Sequence, residues 1–208
     1  DILAMLESSG GEEDYPEASA LVLSVKEEME ISPDNTSLSS IHMLVKILND
    51  RGKENFSEVV LGYDSTYERV ELEFARTIKP DGTVVSVGDK NIRDVSIYLN
   101  FPLYSNARAK IISMPEVSSG ALIEYKARIY NNKLIADKHF ATVYFLQEAE
   151  PVLYSSFKLI APKGRTINTK ILNSEYNKTG ADLTPKIREE KDKTIYYIEV
   201  KNIPQIIP

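Results

Sequence analysis

His42 and His139 are the only imidazoles in this 208-residue sequence, and it contains no cysteine. A zinc-type centre needs three or four converging nitrogen, sulfur or carboxylate ligands. Two histidines on separate strand-like segments do not supply one, so the sequence predicts no metal and no cofactor. The lack of cysteine also excludes a thiol nucleophile, disulfides and thiolate clusters from this chain. A Ser–His–Asp hydrolase would place His42 or His139 in a concave site, within hydrogen-bond reach of a serine or an acid. No G-x-S-x-G elbow is present to support that reading. Glu71 and Glu73 would stand about 7 Å apart on one strand, close enough to imitate a glycosidase pair. They alternate with Val70, Leu72 and Phe74, which is the pattern of a solvated strand face. Gly10 and Gly11 lack the strand–loop–helix setting of a phosphate cradle. Sequons at Asn35, Asn55 and Asn177 read as chance in an Asn-, Ser- and Thr-rich chain. No catalytic residue is therefore assigned.

What remains is aromatic. The chain has 12 Tyr, 6 Phe and no Trp, so any aromatic platform would be built from tyrosine. Tyr63 and Tyr67 bracket the loop GYDSTY. Tyr98 and Tyr104 flank LNFPL, with Arg108 just beyond. Loop aromatics can stack on a sugar or grip a peptide. The competing and favoured expectation is that these rings cap the ends of a β-sandwich and pack inward.

The elements that would carry these residues follow a period of two. In ALVLSVKEEMEI, residues Leu21, Leu23, Val25, Met29 and Ile31 are expected on one face, with Ser24, Lys26, Glu28 and Glu30 on the other. SPDN turns the chain into SSIHMLVKIL, NDRGKEN reads as a turn, and SEVVLGY is a third strand. YERVELEFARTI places Val70, Leu72, Phe74 and Ile78 opposite Arg69, Glu71, Glu73 and Thr77. It continues into KPDG, where Pro80 presets the first corner and Gly82 closes the turn in the left-handed region. TVVSV returns as its partner. Further strands are expected at 92–98, 106–113, 121–131, 138–147, 151–161, 165–172 and 193–201, with 173–192 a long loop holding one helical turn. No three-turn amphipathic helix is visible. These signals predict an all-β fold, an antiparallel β-sandwich of roughly ten to twelve strands. Residues 1–17 read as a flexible tether, 18–202 as the sandwich, with a possible subdivision near 115–137. Residues 203–208, with prolines spaced by apolar residues, read as an exit linker.

Composition bounds the partners. Apolar residues make up 42% and charged residues 27%, which excludes bulk disorder. The net charge is −6 and no basic run occurs, so nucleic acid is not an expected partner. No apolar run approaches ~18 residues, so no membrane span is expected. DILAML lacks the basic flank and apolar core of a signal peptide, and the opening Asp1 suggests a trimmed or mature product.

Several segments together resemble a known family. They are YP-x-A at 15–18, VKILNDRG at 45–52, A-R-x-I-KPDGT at 75–83, Y-S-x-A-R-x-K-x-I-S-x-P at 104–115 and G-x-x-I-E-Y at 120–125. The set resembles the N-terminal domain of unknown function that precedes a transglutaminase-like domain in bacterial, mostly extracytoplasmic, proteins. The likeness is strong from residue 15 to about 130 and weaker beyond. It implies a β-sandwich-like domain, an extracytoplasmic location, and a papain-like Cys–His–Asp enzyme further along the polypeptide. No catalytic residue carries over, because this chain has no cysteine. The expected function is a non-catalytic accessory domain for that downstream transglutaminase-like partner. The alternative is an independent module for an envelope glycan or peptide.

Overall fold

The structure is a computed structural model that describes residues 9–98, 106–133, 140–176 and 179–206. Eleven strands are present among these residues: β1 (Ala20–Ile31), β2 (Ser37–Ile47), β3 (Glu58–Asp64), β4 (Glu68–Ile78), β5 (Val84–Ser86), β6 (Ile92–Ser96), β7 (Ala107–Ser113), β8 (Leu122–Asn131), β9 (Val152–Pro162), β10 (Lys186–Glu189) and β11 (Lys193–Ile203). Eight build one sheet in the order β10-β11-β9-β1-β2-β8-β4-β5, and β3-β7-β6 form a second. The fold is thus an all-β sandwich of two unequal layers. Every pairing is antiparallel except β1 with β9, which run parallel. That pair sets Val22 beside Val152, a contact between distant segments that no local hairpin signal could announce.

The KPDG turn forms as its residues dictate. Gly82 takes φ 84°, its N–H donates to the Lys79 carbonyl at 2.9 Å, and the Lys79 N–H donates to the Thr83 carbonyl at 2.8 Å. NDRGKEN, by contrast, is not a turn. Asp50–Phe56 is a short helix, α1, capped by Asn49, whose side chain accepts the Gly52 N–H. Asn at the cap, Asp50 in the first turn and Lys53 in the last are the usual helix-end chemistry. Over only seven residues they are easily read as turn chemistry.

Two β-bulges revise the expected faces. Pairing between β1 and β2 slips between Val22 and Ser24, and pairing between β4 and β8 slips between Leu72 and Phe74. One extra residue reverses the alternation. Ala20 and Val22 therefore join the inter-sheet core beside Val25, while Leu21 and Leu23 face the opposite side with Leu44, Ile78 and Leu122. In β4, Val70 and Ala75 join the inter-sheet core and Ile78 the opposite cluster. Phe74 lies edge-on to His42, 6.0 Å between centroids.

The inter-sheet core is Val22, Val45, Val70 and Ile123 from the large sheet against Val59, Leu61 and Ile112 from the small one. The three-stranded sheet covers only part of the large sheet. Met29, Ile31, Leu159 and Ala161 are covered by Phe140 and Ile167 from irregular segments. Residues 9–19 fold over the far end of the outer face, where Ala18 and Tyr15 pack on Leu21 and Leu44. Glu150 holds the start of β1 by accepting the Ser19 N–H at 2.9 Å and the Ser19 hydroxyl.

The later strand expectations need correction. Residues 140–147 belong to no ladder, and 165–172 form no strand. Among the described residues of 173–192 there is a single 3-10 turn, Ser174–Tyr176, followed by β10, which the sequence reading leaves in the loop.

Candidate functional site

The small sheet brings three strands' side chains to one point. Its register sets Tyr63 of β3 opposite Arg108 of β7, and Asp94 of β6 opposite Lys110 of β7. The Tyr63 hydroxyl donates to Asp94 Oδ2 at 2.7 Å. Arg108 Nε donates to Asp94 Oδ1 at 2.8 Å, and Arg108 Nη2 to the Asp94 carbonyl at 3.0 Å. Lys110 Nζ stands 3.7 Å from Asp94 Oδ2. One carboxylate thus collects a phenol and two cations.

This cluster forms one wall of an open cleft of about 430 Å³, whose other walls include Tyr67, Arg69 and Asn132. Tyr67 is held where the β3–β4 loop meets the end of β8. Its carbonyl accepts the Asn132 N–H at 2.9 Å, and the Lys133 ammonium lies 6.0 Å from its ring. Ser65 and Thr66 are tied to Asn106 by hydrogen bonds of 3.0 and 2.6 Å, which fix the loop. The cleft therefore combines two phenols, a paired carboxylate and several cationic groups. That chemistry suits a polar chain bearing hydroxyls or amides, with one aromatic wall for stacking.

Of the residues singled out by sequence, Tyr63 and Tyr67 line this cleft, and Arg108 braces it through Asp94. Tyr98 lies beyond β6 and is 53% exposed, outside the cleft lining. Tyr104 falls outside the described residues, as does His139. Asp94 and Lys110 carried no sequence signal. Each is one charged residue in an amphipathic strand, and only the β3-β7-β6 register makes them neighbours of Tyr63.

The electrostatics of the cluster follow from its contacts. Burial pushes the Asp94 carboxyl up, but the Tyr63 hydroxyl, Arg108 and Lys110 outweigh it and hold the group below the usual carboxylate range. Burial, then the Asp94 hydrogen bond, push the Tyr63 phenol up. A carboxyl lowered in the folded state contributes stability above its unfolded pKa and loses it as pH falls through the folded value. Wild type should therefore lose this contribution progressively below about pH 4. Asp94→Asn should be less stable than wild type at pH 7, with the gap closing as pH falls. Urea unfolding from pH 7 to 2 checks this; a gap independent of pH would contradict it.

His42 occupies the outer face of the large sheet. Its Nε2 donates to Glu124 Oε1 at 2.8 Å, and Arg76 Nε donates to Glu124 Oε2 at 2.6 Å. Glu124 is only 3% exposed. A shallow concavity of about 360 Å³ beside His42 includes Ser40 and Ser156. His42 thus has an acid in reach, as a hydrolase requires. Among the described residues no serine hydroxyl bonds to its ring, and Arg76 shares the acid. Among the described residues no group of three His, Asp or Glu side chains is placed to hold a metal ion, and no helix is long and apolar enough to cross a membrane.

The fold has a solved counterpart. Over 91% of its length the chain overlays, at a TM-score of 0.77 and 15% identity, a provisionally assigned protease from Parabacteroides distasonis. It spans 36% of that protein, about a third of the larger chain. A provisionally assigned nutrient-binding protein from Legionella pneumophila overlaps 89% of the chain and 64% of itself at 7% identity, with a TM-score of 0.39. The CBM3a-L domain of a Clostridium thermocellum cellulosome scaffoldin overlaps 58% of the chain and 78% of itself at 14% identity, with a TM-score of 0.30. At those TM-scores neither bears on function. No curated protein matches the chain. The DUF3857 domain of unknown function, which includes a solved structure, matches residues 33–207, and the chain belongs to that family.

Proposed function

We propose that this chain is a non-catalytic accessory domain, displayed outside the cytoplasm, that positions or regulates a transglutaminase- or protease-like domain following it in one polypeptide. The observation that carries this reading is the overlay of 91% of the chain on only 36% of a larger, provisionally assigned protease. A whole sandwich recurring as a fraction of a longer chain is the behaviour of a module serving a neighbour. The polar clusters support a scaffold role, because their charges satisfy one another: Asp94 is held by Tyr63, Arg108 and Lys110, and Glu124 by His42 and Arg76.

Calorimetric titration of this domain with the separately produced remainder of its polypeptide tests the reading. Saturable binding at micromolar affinity or tighter, about −8 kcal/mol, is the expected result. No heat would overturn it in favour of the second reading, an independent module for an envelope glycan or peptide. The cleft that unites Tyr63, Tyr67, Asp94 and Lys110 is the specific observation behind that alternative, and there Tyr63→Ala should abolish ligand binding.

A further inference from the structure

Residues 143–146 alternate exposed and half-buried like a strand without a strand's partner, with Phe140 turned inward ahead of them and Thr142 exposed. Phe140 packs into the cluster of Met29 and Leu159, and Leu146 against the inter-sheet core. Tyr144 stacks on Phe157 with 4.8 Å between centroids, and its hydroxyl lies 2.7 Å from Ser155 Oγ. These even-numbered residues face the protein. Val143 and Phe145, between them, are each 70% exposed, the most exposed large apolar residues among those described. Among the described residues, no main-chain N–H or carbonyl of 140–147 bonds to another main-chain group. Backbone polar groups are obligate hydrogen-bonding groups. A period-two segment with a free edge and an exposed apolar face is the usual receptor for an added strand.

The occupant is indicated by the ladder beside it. β11 runs antiparallel to β9, ending with Ile203 opposite Val152. Past both strands the two chains stay side by side, one residue out of that register, where the Ile206 N–H donates to the Glu148 carbonyl at 3.0 Å. Gln147 Nε2 also donates to the Pro204 carbonyl at 2.9 Å. The chain leaving β11 is thus already paired with the end of the open segment, and Ile206 is itself 52% exposed.

We propose that residues 140–147 complete a β-ladder with an extended, apolar-alternating segment of the polypeptide that follows this domain, its side chains covering Val143 and Phe145. The inference rests on the accessory-domain reading and names the surface through which that role would act.

Hydrogen exchange on the longer polypeptide and on the 208-residue chain tests it. Amides of 141–147 should exchange freely in the chain alone and at least about 100-fold more slowly in the longer protein. Val143→Pro removes a donor that has no main-chain acceptor within the described residues. It should restore fast exchange in the longer protein while leaving the thermal midpoint of the shorter chain unchanged. Phe145→Ser should weaken the same protection without touching the backbone. If calorimetry shows the two parts binding while 141–147 stays unprotected, this inference falls and the accessory reading stands. If the parts do not bind, both fall. Protection in the shorter chain that grows with its concentration would identify a second copy as the occupant and overturn the assignment.

Discussion

Gly52→Ala should destabilise the domain by about 3 kcal/mol or more, at the upper end of what overpacking costs. Gly52 is buried in α1. A Cβ there would overlap the Ser19 carbonyl oxygen, come within 2.9 Å of the Ser19 carbonyl carbon and press on Ile47 at 3.4 Å. The obstacle is main chain, which cannot rotate away. The Ser19 carbonyl is also committed, because it accepts the Leu48 N–H at 3.0 Å. Moving it would pull on the start of β1, where Glu150 binds the Ser19 and Ala20 N–H groups. In a chain of this size such a loss lowers the thermal midpoint by roughly 6–12 °C. Differential scanning calorimetry decides the matter: a drop under about 2 °C would show that α1 can shift away from β1 at little cost.

Glu124→Ala is expected to cost about 2–3 kcal/mol, combining lost charge-assisted hydrogen bonds with a small cavity. Glu124 is 3% exposed on an interior strand of the large sheet and binds His42 and Arg76 with separate oxygens. Removing it strands the Arg76 guanidinium over the Phe74 ring, 5.4 Å from its centroid. Both partners keep more than a third of their side chains in water. The loss therefore stays below the 3–5 kcal/mol typical of breaking a fully buried pair. Glu124→Gln should cost less, because it fills the same volume and still offers Arg76 an acceptor. Urea denaturation of both variants, with Arg76→Ala and the double mutant to close the cycle, measures the coupling. Additive single and double losses would mean that Glu124 and Arg76 do not act as a pair.

These two residues also show where the sequence could be read and where it could not. Gly52 sits in a stretch that reads as a turn, and a glycine there looks like turn chemistry. Its function is to let a helix approach the β1 backbone, a contact across more than thirty positions of sequence. Glu124 reads as one polar residue in an alternating strand opposite Ile123 and Tyr125. Nothing local distinguishes it from the solvated Glu71, which is 45% exposed in its side chain. The difference is made by β2 and β4, which flank β8 and bring His42 and Arg76 to the same carboxylate.

The amino-acid sequence by itself determined the all-β class, the hairpin at KPDG and most strand positions. Each of these rests on short-range physics: alternation of apolar residues, fixed φ at proline, the left-handed tolerance of glycine. Tertiary structure alone decided the parallel β1–β9 pair and the two bulges that reverse strand faces. It alone gathered Tyr63, Asp94, Arg108 and Lys110, and left 140–147 strand-like without a ladder. Those features depend on which distant strands become neighbours. A period-two pattern specifies that a segment can pair and which face it buries, but not the partner that accepts its hydrogen bonds.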